Sequence, residues 1–336
     1  MKICSLLPSG TEILFALGLG DQVIGVTDLC DFPDEARDIP IVCRSKIDVS
    51  VLSSQQVEEE MRRILSSGES PYDLDQQWLL EHSPDVVLTQ DLCYFCEVDA
   101  GAVNQAVRGN SNLPQIIVLN PRTLEEIFRS ICRVGEVCGG SGEAEQLVKS
   151  LRDRADAIQQ KLASVANYPR VFSLEGINPL VIGGHWIPDL LQLAGGAQDL
   201  YPPGCPAARI RWQEVLDYAP EKLYIDLCSS DLDRHLREIS WLAQQDGWHH
   251  LPAVRSGEVY LIDHVYFSRP GPRVVQGLEI LAQLTHPEVF SGYIPANTVA
   301  KLDAAGLTAG IPGQLAEFFL PHPSTSRVLK KGSPEG

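Results

Sequence analysis

Apolar and polar positions along this chain follow two periods, one typical of buried strands and one typical of amphipathic helices. Short apolar runs bounded by turn residues predict strands that are buried on both faces. Between these runs, apolar residues recur every three or four positions, which predicts helices. Because strands and helices alternate, the sequence predicts parallel α/β packing. The predicted strands cover residues 23–26, 86–88, 116–119, 171–174, 180–182, 223–225 and 259–262.

Two capping boxes mark the start of predicted helices. Ser9 and Glu12 have the spacing at which a hydroxyl and a carboxylate cap a helix reciprocally, and an apolar run follows. Thr123 and Glu126 repeat this spacing ahead of a much longer amphipathic stretch. Further helices are predicted at residues 57–65, 78–81 and 274–284.

The long amphipathic stretch separates two similar halves. We predict a fold of two Rossmann-like α/β lobes, joined by a long helix and enclosing a ligand cleft. The alternative is a pair of lobes packed shut without a ligand. The predicted units are an N-terminal lobe at 1–122, a linking helix at 123–166 with an interruption near 139–142, a C-terminal lobe at 167–290 and a Pro/Gly-rich tail at 291–336.

The charge of the chain restricts its partners. The 336 residues carry a formal net charge of −17, and the isoelectric point is about 4.8. A strongly acidic protein repels nucleic acid and anionic lipid, so neither partner is expected. No apolar run reaches the roughly 18 residues of a membrane span, so no membrane insertion is expected.

The N-terminus lacks the pattern of an export signal. Its apolar run is short, is interrupted by Pro8 and is followed by no small-residue cleavage site. Cys4 lies too early for a lipoprotein anchor. The nine cysteines form an odd set at uneven spacings, which fits reduced thiols better than a secreted disulfide framework. We therefore expect a cytoplasmic protein.

Three short segments resemble the markers of one family. They are LPSGTE at residues 7–12, EGINP at 175–179 and FSRPGPR at 267–273. In this order they resemble the cobalamin and iron-chelate class of substrate-binding proteins, which serve ABC importers. The resemblance covers roughly residues 1–290. It implies a periplasmic-binding-protein-like fold with a helical hinge, and non-catalytic binding of cobalamin, haem, a ferric siderophore or a related metal chelate between the lobes.

The chain departs from the cobalamin-binding members around the expected ligand. Those members hold the corrin between aromatic side chains, and each lost stacking surface forfeits on the order of 1 kcal/mol. Only Tyr266 and Phe267 keep aromatic character here. The other matching positions are Leu29, Ser45, Gln90 and Glu175.

The positions that would dock an importer also differ. Importer-bound members carry a glutamate on each lobe tip, which pairs with permease arginines, whereas the matching residues here are Gln77 and Gln213. Without these charges the charge-assisted hydrogen bonds are lost, so docking to an ABC permease is doubtful. The chain resembles more a branch of the superfamily that has no signal and is labelled cobalamin-binding by similarity.

Three thiols are candidates for ligand contact. Cys93 and Cys96 follow one predicted strand and Cys30 follows another, so all three are expected near the cleft. The Cys93–Cys96 pair has the spacing of a soft-metal chelate or a dithiol redox pair. It can equally contact a bound ligand, or fill the core, because free cysteine often behaves as a small hydrophobe.

The C-terminal half supplies the remaining candidates. Imidazoles and carboxylates can contact a ligand or a metal, and an indole can stack on a planar ring. A guanidinium in a proline-rich loop can bind a carboxylate or phosphate. Each of these candidate side chains can instead have a purely structural role, in packing or in an ion pair. Ser9, at a helix N-terminus, can also contact an anion. The candidates are Glu175, His185, Trp186, His264, Tyr266 and Arg269.

These observations lead to competing hypotheses. The leading one is a non-catalytic cytoplasmic protein that holds a tetrapyrrole such as cobalamin, or another metal chelate, for buffering, delivery or sensing. The second is a zinc or iron site formed by Cys30, Cys93, Cys96 and a histidine of the C-terminal half. The third is an importer subunit. Standard enzyme motifs such as a Walker loop, GxSxG or HExxH are missing, so no catalytic activity is expected.

Overall fold

Two α/β lobes, each built on its own sheet, make up the computed structural model of the chain. The structure describes residues 1–92, 100–108, 112–307 and 312–322. None of the helices in these ranges is both long enough and apolar enough to cross a membrane.

The N-terminal lobe contains a six-stranded sheet in the order β4-β3-β2-β1-β5-β6. All neighbouring strands are parallel except β3 and β4. The strands are β1 Ile3–Ser5, β2 Val23–Thr27, β3 Ile41–Ser45, β4 Tyr72–Leu74, β5 Val86–Thr89 and β6 Gln115–Val118. The helices in the described part of this lobe are α1 Pro8–Ala16, α2 Ser54–Ser66, α3 Gln76–His82 and α4 Ala100–Ala106.

The predicted linking helix is a hairpin of two helices, α5 Leu124–Cys138 and α6 Ser141–Leu162. Gly139 ends α5 in the left-handed region at φ +83°, which favours glycine. The chain then turns back, so that Arg152 Nη2 lies 2.7 Å from Glu125 Oε1 on the opposite helix. Of the two, only α6 leads into the C-terminal lobe, over a length of roughly 33 Å.

The C-terminal lobe contains a seven-stranded mixed sheet in the order β13-β12-β11-β10-β7-β8-β9. Strands β7, β10 and β11 are parallel, and the strands on both flanks are antiparallel. The strands are β7 Val171–Ile177, β8 Leu180–Ile182, β9 Ala208–Arg209, β10 Lys222–Ile225, β11 Val259–Ile262, β12 Val299–Leu302 and β13 Phe319–Pro321. The helices are α7 Ile187–Leu193, α8 Trp212–Tyr218, α9 Leu232–Glu238, α10 Ser240–Ala243, α11 Pro252–Ser256, α12 Val274–Thr285 and α13 Ala304–Leu307.

Part of the predicted tail belongs to this sheet. Strand β12 pairs with β11, and β13 pairs with β12. Phe319 is 7% exposed and Leu315 is 1% exposed, so both contribute to the core of the lobe. The Pro/Gly-rich composition concealed these strands because they are short and separated by irregular chain.

One hydrophobic core runs through both lobes. It joins β1 and α1 of the N-terminal lobe to α5 and α6, and continues to α7 and α12 of the C-terminal lobe. A second core fills the other face of the C-terminal sheet, and a third fills the other face of the N-terminal sheet. A small separate cluster around α2 contains Ile47, Met61 and Ile64.

Candidate functional site

A cleft of about 380 Å³ opens between the lobes. It lies beyond the carboxyl ends of β5 and β7, where α/β sheets bind ligands. Both lobes contribute to its walls. Its main lining residues are Ser45, Ile47, Val49, Ser54, Val57, Glu58, Met61, Gln90, Leu92, Glu175, Pro179, Val181, His185, Trp186, Arg209, Cys228, Ser229, Arg234 and Ser268.

Three predicted contact residues, Glu175, His185 and Trp186, line this cleft. Glu175 lies in the last part of β7, and its Oε1 accepts a hydrogen bond from Gly184 N at 3.3 Å. The strand end and the glycine turn are thereby held together. The turn that presents His185 is thus anchored to the strand that presents Glu175.

The Gly183-Gly184 turn is required by close packing. A Cβ atom on Gly184 would lie 2.1 Å from Ala207 N, so no larger residue fits without moving the backbone. His185 follows in the left-handed region at φ +53°. Two backbone hydrogen bonds hold it there: His185 N donates to Cys205 O at 2.6 Å, and Gly204 N donates to His185 O at 2.9 Å.

The His185 ring is neutral at physiological pH. Burial, assisted by the nearby Arg122 guanidinium, lowers the pKa of His185 below its usual value. A neutral imidazole can donate to a ligand, accept from it or bind a metal centre. The arrangement therefore supplies the cleft with a positioned nitrogen ligand.

Trp186 lines the cleft but is almost completely enclosed by the protein. Only 7% of the residue is exposed, and its Nε1 donates to Phe267 O at 2.7 Å. Phe267 itself is 2% exposed and belongs to the core. The two aromatic residues therefore brace the wall between the lobes.

A few neutral polar groups and one thiol lie among the apolar residues of the cleft. Ser45 and Gln90 both line the cleft. Cys228 does so from the C-terminal side and is half-buried. Below it, burial raises the pKa of Asp226 to about 8, although the Ser173 hydroxyl donates to its Oδ1 at 2.6 Å.

The two arginines of the cleft are already paired. Arg209 binds Glu58 across the cleft. Arg234 Nε lies 3.1 Å from Glu238 Oε1, and both side chains are buried. Their positive charge is thus offset within the protein. Sequence reasoning missed both arginines because neither lies in a recognisable motif.

Arg269, a predicted ligand-binding residue, is not among the residues that line the cleft. Its guanidinium crosses from the C-terminal lobe to Glu12 and Asp31 of the N-terminal lobe, and Nη2 donates to Leu29 O at 3.3 Å. Arg273 Nε also donates to Glu12 Oε2 at 3.0 Å. These buried groups satisfy one another, so Arg269 has a structural role in joining the lobes.

Ser9 and Cys30 also lie away from the cleft lining. Helix α1 begins at Pro8, whose fixed φ suits the first helical position, and the cap is Leu7. The predicted capping box of Ser9 and Glu12 therefore does not form. The Cys30 sulfur is buried, 3.1 Å from Thr11 Oγ1.

His264 and Tyr266 lie beside the Arg269 cluster, and not among the cleft residues. His264 Nδ1 is buried and has no hydrogen-bond partner within the described part of the chain. Burial, with Arg269 and His235 nearby, lowers the pKa of His264 to about 3. The ring of Tyr266 lies 5.9 Å from the Arg273 guanidinium carbon. Neither of these predicted ligand contacts is among the residues that line the cleft.

A metal site is not formed by the residues that the structure describes. In residues 1–92, 100–108, 112–307 and 312–322, no three histidine, cysteine, aspartate or glutamate residues cluster as metal ligands would. The predicted ligands Cys93 and Cys96 lie outside the described residues. Cys30 is enclosed by Thr11 and Thr27.

Comparisons with known proteins agree with this architecture. Residues 3–266 match the model of the periplasmic binding protein family. An uncharacterized ABC transporter substrate-binding lipoprotein of Bacillus subtilis is 26% identical over 86% of this chain and 81% of its own. A vitamin B12-binding protein of Vibrio parahaemolyticus is 21% identical over 82% of this chain and 86% of its own.

Solved structures show the same fold. The periplasmic vitamin B12-binding protein of Vibrio cholerae superimposes with a TM-score of 0.61 at 19% identity, covering 85% of this chain and 96% of the other. A periplasmic heme-binding protein of Pseudomonas aeruginosa gives 0.64 at 18% identity, covering 86% and 93%. With its two sheets, its helical connection and its interlobe cleft, the chain belongs to the periplasmic binding protein family, whose members bind ligands without catalysis.

Proposed function

We propose that this protein binds a cobalamin-like tetrapyrrole, or a related metal chelate, in the cleft and holds it inside the cell for buffering, delivery or sensing. The observation that carries the proposal is the cleft itself. It lies between the ends of two sheets and combines an apolar surface with a few directed polar groups. This combination is typical of small-molecule sites.

The polar groups of the cleft favour a ligand rich in amides over one rich in carboxylates. Ser45, Gln90 and Ser268 are neutral and can exchange hydrogen bonds with amides. Arg209 and Arg234 are held by Glu58 and Glu238 and are not available to carboxylates. A corrinoid carries peripheral amides, whereas haem carries propionates and many ferric siderophores are anionic.

His185 supports binding of the metal at the centre of such a ligand. Its neutral ring faces the cleft from a turn that is fixed by backbone hydrogen bonds. An imidazole nitrogen is a common axial ligand of chelated cobalt and iron. We expect His185 to approach the metal while apolar residues of both lobes contact the ring.

The relatives support the same ligand class. Proteins named for binding vitamin B12 cover most of this chain at 18–24% identity. The structural neighbours include proteins named for binding vitamin B12 and heme. Their ligands share a planar metal chelate, and we extend that class to this chain.

A location in the cytoplasm is supported by the state of the thiols. No disulfide links any of the seven described cysteines, as in a reducing compartment. Cys4 is completely buried in the central strand, where a lipid could not be attached without disrupting the sheet. We therefore retain the proposal of a cytoplasmic protein.

The proposal does not include transfer of the ligand from this protein to an ABC permease. Gln77 and Gln213 lie at the starts of α3 and α8, and each donates to an acidic residue one turn further on, at 2.8 and 2.7 Å respectively. Neither lobe thus presents at these positions the glutamate expected to bind a permease arginine.

An optical and elemental scan tests the proposal. The protein is purified anaerobically from its own cytosol, and the absorbance spectrum and metal content are recorded. We expect the bands of a corrinoid with near-stoichiometric cobalt. The emptied protein is then titrated with cyanocobalamin and, separately, with hemin. Failure of both to bind at micromolar concentrations would refute the tetrapyrrole proposal. Zinc or iron without tetrapyrrole bands would instead support the metal-site hypothesis.

A further inference from the structure

We propose that residues 46–71 form a lid over the cleft and that opening of this lid controls entry and release of the ligand. The lid lies between β3 and β4 and contains α2. The proposal rests on the proposed function for the identity of its ligand. The movement of the lid can nevertheless be measured without any ligand.

The lid is attached to the sheet at one place. Ser45 and Tyr72, its two flanking residues, face each other in the antiparallel β3–β4 ladder. Lys46 N donates to Pro71 O at 2.9 Å, which continues this ladder into the base of the lid. Because both ends leave the sheet together, a change in a few backbone angles at these ends moves the whole segment.

The lid has its own small core. Ile47, Met61 and Ile64 are buried in a cluster that is separate from the larger cores of the lobes. Val49, Leu52 and Val57 of the lid itself pack against this cluster. Segments that share few buried apolar contacts with the rest of a protein open at low free-energy cost. The lid can therefore move without opening either main core.

The inner face of the lid is one wall of the site. Ser54, Val57, Glu58 and Met61 all line the cleft. The opposite face of α2 is exposed and bears charged residues such as Glu59 and Arg62. The lid therefore forms a wall that a ligand in the cleft would contact.

Polar contacts with the C-terminal lobe hold the lid shut. Arg237 Nη2 donates to Ser50 O at 3.0 Å, and Asn178 Nδ2 donates to Gln55 Oε1 at 3.2 Å. Ser54 N, at the start of α2, donates to Glu238 Oε1 at 2.9 Å, where the helix dipole favours a carboxylate. All these contacts lie near the surface, in contrast to the buried core that joins the lobes on the hinge side.

Alkylation of two native thiols tests the lid directly. Cys228 lines the cleft, whereas Cys132 lies half-buried on α5, outside the cleft lining. Their rates of reaction with N-ethylmaleimide are followed by peptide mass spectrometry. The test variant is Asn178→Ala with Arg237→Ala, which removes two contacts without changing a cleft residue. Arg255→Ala, an exposed change on α11, is the control for the lost charge.

We expect Cys228 to react about tenfold faster in the double variant, which corresponds to the loss of two partly exposed hydrogen bonds. Cys228 should keep its wild-type rate in Arg255→Ala, and Cys132 should keep its rate in every variant. An unchanged Cys228 rate in the double variant would overturn the lid. An equal increase at Cys132 would also overturn it, because the whole protein would then have loosened.

Release of cyanocobalamin, measured by stopped-flow displacement, extends the test to the ligand. The double variant should release it about tenfold faster than wild type, with a smaller change in the association rate. Release at the wild-type rate despite faster Cys228 alkylation would overturn control by the lid. If wild type binds neither cyanocobalamin nor hemin, the proposed function fails, and the thiol rates alone decide whether the lid opens.

Discussion

Arg269 of the C-terminal lobe reaches Glu12 of the N-terminal lobe, with Nη1 lying 3.4 Å from Oε1. Both side chains are almost completely buried, at 7% and 2% exposure. Arg273 binds the same carboxylate, and Asp31 binds Arg269. Glu12 and Asp31 of the N-terminal lobe together balance the charges of two arginines that come from the other end of the chain.

Glu12→Gln should destabilise the protein strongly. The substitution removes a carboxylate that helps to compensate two buried guanidinium groups. Removing one partner of a buried ion pair costs about 3–5 kcal/mol. Urea denaturation measures the change in the free energy of unfolding. Glu60→Gln breaks an exposed pair with Arg63 and should cost less than about 1 kcal/mol. Equal effects of the two substitutions would contradict the structural role of Glu12.

Gly184→Ala should damage the ligand site. Its Cβ would meet the backbone of Ala207, and the turn that carries His185 would have to shift. We expect the dissociation constant for cyanocobalamin to rise at least about tenfold, since ligand groups must be placed within a fraction of an ångström. Gly142→Ala on α6 is the matched control, because a Cβ there meets nothing within 4 Å. Wild-type affinity in Gly184→Ala would rule out a role for this turn.

Stability should fall as the pH drops below about 6.5, the ordinary value for histidine. Burial lowers the pKa of His235 to about 4 and that of His264 to about 3, so both rings are neutral in the folded protein. The unfolded chain takes up these protons first. Each histidine therefore removes up to about 1.4 kcal/mol per pH unit between pH 6.5 and its folded pKa.

Urea denaturation at pH 7.5, 6 and 5 measures this slope. His264→Asn should make the decline shallower, whereas the exposed His249→Asn should leave it unchanged. The same slope in His264→Asn and in wild type would show that His264 does not contribute.

Phe319→Ala should destabilise the C-terminal lobe by about 3 kcal/mol, the usual cost of removing a buried phenylalanine side chain. Phe319 is 7% exposed on β13, and the neighbouring Leu320 is 51% exposed on the other face. Leu320→Ala should therefore change the free energy of unfolding by less than about 0.5 kcal/mol. Similar effects of the two substitutions would show that β13 does not pair in the register of the structure.

The central features of the fold could be predicted from local sequence. Strands β5, β10 and β11 are apolar runs, and their periodicity identifies them without tertiary information. Strand β1 has only three residues and β3 contains Arg44, so neither produces such a pattern. Their strand conformation depends on pairing with β2, which a local pattern does not reveal.

The candidate site was predictable where a residue follows a strand or a glycine turn, as Glu175 and His185 do. The ion pairs of Arg269 could not be predicted, because its partners lie 238 and 257 positions away in the sequence. A loop arginine near a cleft looks the same in sequence whether it binds a ligand or a buried glutamate. The contribution of α2 to the cleft could not be predicted either. The same apolar face of this helix contacts both the small core of the lid and the cleft, and its sequence pattern does not distinguish the two.

The core that passes from α1 through α6 to α12 has a thermodynamic consequence. Neither lobe can lose its packing without exposing apolar surface of the other, so the lobes cannot melt one after the other. Calorimetry should record one sharp endotherm, whose calorimetric enthalpy equals the van't Hoff enthalpy. Despite its two sheets, the chain should therefore unfold as a single cooperative unit.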